Sequence, residues 1–304
     1  MLICPIEDMN TTTGKAILHF SFMLGITALI TSCMIYPFLP GAYDDLAVAL
    51  SNMAQASGVV GLMLVPIGIT WLMYAIWRQK RSRQNRPIKM REHYFALAAV
   101  VITSFDIAAI AFIGVVSTGW SLGLATLLTW LYIVSRLIPK IKLLRASEDP
   151  RFNLIPLYLI FTPIAVLLLQ ILLATPLTKA SRDHAIATSA ELINAIEAYR
   201  TSNGYYPTSL LATWPDYSPD VVGIEQYHYM AQGDSYNLFF QQPRFLLDDI
   251  GVREFVVYNP LDEHMMISHT SWILLLRPAE LRRSQGWYAV RHDPTPHWRY
   301  FWFD

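Results

Sequence analysis

The chain has 304 residues, long enough for two folding units, with 54% hydrophobic and only 15% charged residues. Its mean hydropathy is +0.33, which points to a membrane and away from an ordinary soluble enzyme. The zero net charge hides a basic half, with 13 Lys/Arg against 8 Asp/Glu in 1–176, and an acidic half, with 10 against 15 in 177–304, so nucleic-acid binding is excluded as a leading function.

Two cysteines, Cys4 and Cys33, both precede the C-terminal half, so no disulfide staples it. Five apolar runs then approach the roughly 20 helical residues that a bilayer core requires. They cover about 16–36, 58–77, 94–116, 120–138 and 154–174. The first has no basic region followed by a small-residue cleavage site, and reads as a retained anchor.

Lys and Arg cross membranes poorly, so the loops set the direction. Arg78–His93 carries seven Lys/Arg and Arg136–Arg151 five, whereas Pro37–Ser57 carries none and holds Asp44 and Asp45. The predicted N-terminus is therefore cytoplasmic, and everything after Ala174 lies outside. Trp71, Trp77, Trp120, Trp130, Tyr36, Tyr94 and Tyr132 fall near span ends, as interfacial belts favour. Asp44–Ala56 has helical spacing of Leu46, Leu50 and Met53 and reads as a short helix packed on its own bundle.

Within the spans, Asp106 is the odd residue. A mid-span ionisable group is costly and defaults to a proton or solute path, or to a hydrogen-bonded lock between helices. His19, near the cytoplasmic end of span one, is the other titratable candidate for this membrane polar site. Gly119 and Gly123 match a close-packing spacing.

Thr175-Pro176 is expected to interrupt span five, and an amphipathic helix follows. Ala185, Ser189, Leu192, Ile196 and Tyr199 form its apolar stripe, while Asp183, Glu191, Asn194, Glu197 and Thr201 fall opposite. Asn203-Gly204 is a C-terminal stop, and Pro207 prevents the helix from resuming. "QYHYM" and "YNLFFQQ" flank "AQGDS" as a hairpin, and "EFVVYN", "MMISH", "SWILLL", "GWYAVR" and "HWRYFWF" add strand-like runs. The fold class is a five-helix transmembrane bundle, residues 1–174, followed by an extracytoplasmic α+β domain, residues 175–304.

Chemistry-bearing patterns are sparse. Asp262, Glu263, His264 and His269 have the wrong spacing for a zinc helix or finger, and His292 and His297 bracket the turn "DPTP". There is no phosphate loop, dinucleotide glycine pattern or nucleophile elbow. No cofactor, metal or catalytic residue is predicted. Trp287, Trp298, Tyr300 and Trp302, with Tyr288, are candidates for stacking a sugar or peptide, with core packing as the plainer alternative.

The segment "AELINAIEAYRTSNGYYPTSL" resembles the periplasmic part of type IV pilin-like proteins, especially the major pseudopilin of type II secretion. The resemblance rests on Tyr199, Gly204, Tyr206 and Pro207, the corner between a long helix and a small sheet, and extends loosely over about 130 residues. Span five has neither the Gly-Phe-type junction nor the early glutamate of pilins. The reading is a pilin-like module fused to a membrane bundle of a bacterial cytoplasmic membrane. Its expected partners are the lipid bilayer and an envelope protein or glycan. The alternative is a small-solute or proton-coupled transporter or channel using Asp106, with the outer domain as a gate.

Overall fold

The computed structural model describes residues 6–82, 91–146, 153–213, 217–248, 253–264 and 288–303. "MMISH", "SWILLL", His269, Trp287 and Cys4 lie outside the described residues. The chain divides into two units, Met1–Met34 with Ala49–Leu172, and Ile35–Val48 with Leu173–Asp304. The division falls close to the expected 174/175 boundary, but the segment after the first helix joins the second unit.

Seven helices are present among the described residues: α1 (Ile6–Ile35), α2 (Ala47–Gly61), α3 (Val65–Ser82), α4 (Glu92–Thr118), α5 (Trp120–Ala146), α6 (Ile155–Thr188) and α7 (Ala190–Asn203). Five helical stretches are long and apolar enough to cross a membrane: Ala16–Phe38, Ala47–Ser82, Glu92–Thr118, Trp120–Leu143 and Ile155–Asn203. They contain the first four predicted runs and all but the first residue of the fifth, and each extends beyond its predicted run.

Two extensions correct the sequence reading. The expected short helix of residues 44–56 is not separate. Its residues 47–56 form the first part of α2, which continues through a tight turn at Leu62–Leu64 into α3. Ser51, Met53, Ala54, Gln55 and Ala56 are buried, so small residues here make a helix surface for close packing. Nor does Pro176 end the fifth helix, because α6 runs unbroken to Thr188. A proline removes one backbone donor, and a long helix whose turns on either side remain bonded absorbs that loss.

In the first unit, α2 and α3 run antiparallel to α6. A Cβ built on Gly58 would meet Val166, one on Gly61 would meet Pro163, and one on Gly68 would meet Ile160. Trp71 is fully buried with Ala96 and Ile141, so it is a core residue and not part of an interfacial belt, unlike exposed Trp77, Trp120, Tyr94 and Tyr132. The glycine pair divides its labour. Gly119 caps α4 with φ 83°, while Gly123 lies where a Cβ would strike Val115 and Ala111 of α4.

In the second unit, five antiparallel strands, β1 (His228–Gln232), β2 (Ser235–Gln242), β3 (Arg253–Tyr258), β4 (Tyr288–His292) and β5 (Trp298–Phe303), form one sheet in the order β1-β2-β3-β5-β4. Gly233 and Asp234 make the two-residue hairpin loop, with Gly233 at φ 56°. Of the predicted stripe, Ala185, Ser189, Leu192 and Ile196 are buried and Tyr199 is half-buried. The stripe packs on Tyr236, Leu238, Phe240, Val256 and Trp298 of the sheet. The α7 helix stops at Gly204, which takes the left-handed conformation (φ 80°, ψ 0°) and donates its N–H to Arg200 O at 2.8 Å.

Residues 35–48 are woven into this second unit. Pro40 bridges Val221, Val222 N donates to Leu39 O at 3.0 Å, Asp44 N donates to Val222 O at 3.0 Å, and Gly223 N donates to Pro37 O at 2.9 Å. A side chain on Gly223 would place its Cβ 2.6 Å from Pro37 O, so only glycine permits this approach. Phe38 stacks on Phe245, ring centroids 4.7 Å apart.

Candidate functional site

The candidate residues fall into separate places, two in the first unit and two in the second. His19 sits between α1 and α6, where its Nδ1 is 2.9 Å from the Tyr158 hydroxyl. Tyr158 donates its own proton to His19 O at 2.9 Å, so Nδ1 is the donor in the return bond. The pair borders a cavity of about 250 Å³ whose other walls include Phe20, Met23, Leu154 and Leu157.

Asp106 stands at a different interface. It is buried on α4, and its Oδ2 has no hydrogen-bond partner among the described residues. The structure therefore does not bring His19 and Asp106 into one site.

Two polar groupings in the first unit escaped the sequence reading. Ser51 donates to Met34 O at 2.6 Å, Gln55 Nε2 to Ser51 Oγ at 2.9 Å, and Gln170 Nε2 to Gln55 Oε1 at 3.2 Å. This fully buried ladder ties α1, α2 and α6. At the end near the basic loops, Arg78 pairs with Glu92 at 3.0 Å, and Asn153 donates to the second Glu92 oxygen at 3.0 Å.

The corner motif is structural throughout. Tyr206 is buried, accepts from Arg200 Nη1 at 2.6 Å and donates to Glu197 at 3.2 Å, while Tyr236 donates to the same carboxylate at 3.3 Å. Burial, followed by the charge of Glu197, raises the Tyr206 hydroxyl above its ordinary value, so the phenol stays neutral. Pro207 O accepts from the Tyr229 hydroxyl at 2.8 Å. Tyr199 meets Tyr205 edge-on at 6.0 Å.

The described aromatic candidates of the last strand divide between the core and half-exposed positions. Trp298 is core, against Phe240 and Tyr258. Arg182 lies 4.0 Å over the Tyr300 ring, and Trp302 lies near both Arg244 and Arg291, at 4.2 and 4.0 Å. Glu254 organises the group. Its buried carboxylate accepts from Arg182, from Arg244 at 2.7 Å and from Trp302 Nε1 at 2.7 Å. The register places Gln242, Glu254 and Trp302 in one cross-strand row. Alternation along β5 is visible in the sequence, but the arginines that cover it are not.

His264 is buried, with Nε2 3.0 Å from His297 O and Nδ1 without a partner among the described residues. Burial holds its pKa below the ordinary value. Asp262 pairs instead with His297 and Arg299, each at 3.4 Å. Among the described residues, no group of three or more His, Cys, Asp or Glu is placed to hold a metal ion.

Neither a protein-family model, nor a curated protein, nor a solved structure matches this chain.

Proposed function

We propose that this is a five-span protein of a bacterial cytoplasmic membrane that presents a pilin-like α+β module outside, where the module binds or scaffolds an envelope protein or glycan. The observation that carries this reading is the backbone pairing of residues 37–44 with 220–223. The first segment follows one crossing and the second follows five, so both belong on the same side whichever way the chain is inserted. The Lys- and Arg-free composition of Pro37–Ser57 then favours the outer side.

The corner supports the pilin-like part of the reading. A long helix ends at Gly204, turns through Tyr206-Pro207 and lays its buried stripe on an antiparallel sheet. Near that corner, Tyr205 and Leu211 are 60% and 84% exposed, which makes them the apolar side chains most available to a partner.

The test is in-cell photocrosslinking of the full chain, with the crosslinker at Tyr205 or Leu211 and at Arg81 as the control. Adducts to an envelope protein or glycan at the first two positions and not at the third are expected. Absence of adducts at both corner positions would contradict the reading.

A further inference from the structure

The buried side of α4 is one continuous stripe that includes Glu92, Ala96, Ala99, Asp106, Ile110 and Gly114. Three of these residues show what the stripe faces. Glu92 pairs with Arg78 of α3, Ala96 packs with Trp71 of α3, and a Cβ on Gly114 would lie 3.0 Å from Met53 of α2. The register is antiparallel, and it carries Asp106 to the level of Gly61 and Leu62. That level is the break between α2 and α3, where the turn Leu62–Leu64 packs against α4.

The break has a definite chemistry. Val65 N bonds to Leu62 O in a three-residue step, and Pro66 has no N–H to give to Leu62 O in the regular ladder. A broken helix offers backbone carbonyls, which accept hydrogen bonds and donate none. A carboxylate also only accepts, whereas a carboxylic acid carries an O–H donor.

Among the described residues, no cation is placed to balance the group. The α2 helix holds no charged residue, and the basic residues of α3 are confined to its last turns, with Arg78 engaged by Glu92. On α5, Trp130 donates to Ser104 of α4, which sets Asp106 near Leu128, and the nearest titratable side chain along α5 is Tyr132. The spans of α1 and α6 add Cys33 and His19, the latter bonded to Tyr158.

We infer that Asp106 is a proton-binding site held in the membrane interior against the α2–α3 break. The carboxylate takes one proton from water to become the acid, returns it to water on release, and makes or breaks no other bond. An unpaired charge buried in a membrane span is the costly alternative. This inference rests on the five-span part of the proposed function and not on what the outer module binds. Sedimentation of the chain with membranes tests that part separately.

The experiment treats the full-length protein in native membrane vesicles with dicyclohexylcarbodiimide, which attacks protonated carboxyls in apolar surroundings. Parallel vesicles receive a water-soluble carbodiimide with an amine. Peptide mass spectrometry should find the first reagent on Asp106 and the second on exposed Asp183 and Glu191 but not on Asp106, and Asp106→Asn should abolish the first adduct. Isotope-edited infrared spectra of the wild-type protein provide a readout that needs no variant: labelled aspartate should shift a carboxylic-acid C=O band. Absence of both the adduct and the band, or modification of Asp106 by the water-soluble reagent, would overturn the inference.

Discussion

Glu254 lies between Arg182 and Arg244, with one carboxylate oxygen serving each guanidinium and Trp302 sharing the second. Removing the carboxylate takes the Glu254 charge from beside two buried or half-buried guanidinium groups. Glu254→Gln is expected to cost about 3 kcal/mol, read as a lower temperature for proteolytic opening of the second unit in the detergent-solubilised full chain. A loss under about 1 kcal/mol would mean that the cluster is solvated and behaves as a surface pair.

The buried amide ladder predicts an energetic coupling between distant positions. Gln55→Leu and Gln170→Leu, singly and together, should show a coupling of about 0.6 kcal/mol, with about 1.7 kcal/mol as the ceiling. Additive effects would mean that the 3.2 Å bond between them contributes nothing to helix association.

These two clusters mark the limit of what the residues revealed in order. The five long apolar helices were legible because a run of some 20 apolar side chains is a local property, and so was the stripe Ala185–Ile196. The partners of Glu254 and Gln55 were not, since Arg182 and Gln170 stand 72 and 115 positions away. The joining of α2 to α3 was missed for another reason. The helical spacing of Leu46, Leu50 and Met53 is local, whereas the packing on α6 that carries the helix on through Gly58 and Gly61 is tertiary. Trp302 illustrates both cases, being visible as an aromatic on an alternating strand but invisible as a ring flanked by Arg244 and Arg291.

Gly204 isolates a backbone effect. A Cβ there meets nothing within 4 Å, yet φ is +80°. Gly204→Ala should therefore cost about 1 kcal/mol through conformation alone, and Gly204→Asn less, in thermal melts of the second unit within the full chain. Equal costs for the two variants would contradict a left-handed cap.

Acidification should destabilise the second unit through His264. Its folded-state pKa lies below the ordinary 6.5 because the ring is buried. As pH falls past 6.5, the unfolded chain takes a proton that the folded one refuses, so stability declines by at most about 1.4 kcal/mol per pH unit. In melts from about pH 7.5 to about pH 5, His264→Gln should flatten that part of the profile. An unchanged slope in the variant would assign the acid sensitivity to another group.

The central claim is that residues 35–48 and the C-terminal module share the outer side of a membrane. Single cysteines at Tyr43, Thr201 and Arg81, all exposed, would be introduced into a chain carrying Cys4→Ser and Cys33→Ser. A membrane-impermeant maleimide applied to spheroplasts should label Tyr43→Cys and Thr201→Cys, while Arg81→Cys reacts only after lysis. Labelling of Arg81→Cys in intact spheroplasts, with Tyr43→Cys and Thr201→Cys protected, would reverse the topology and contradict the account.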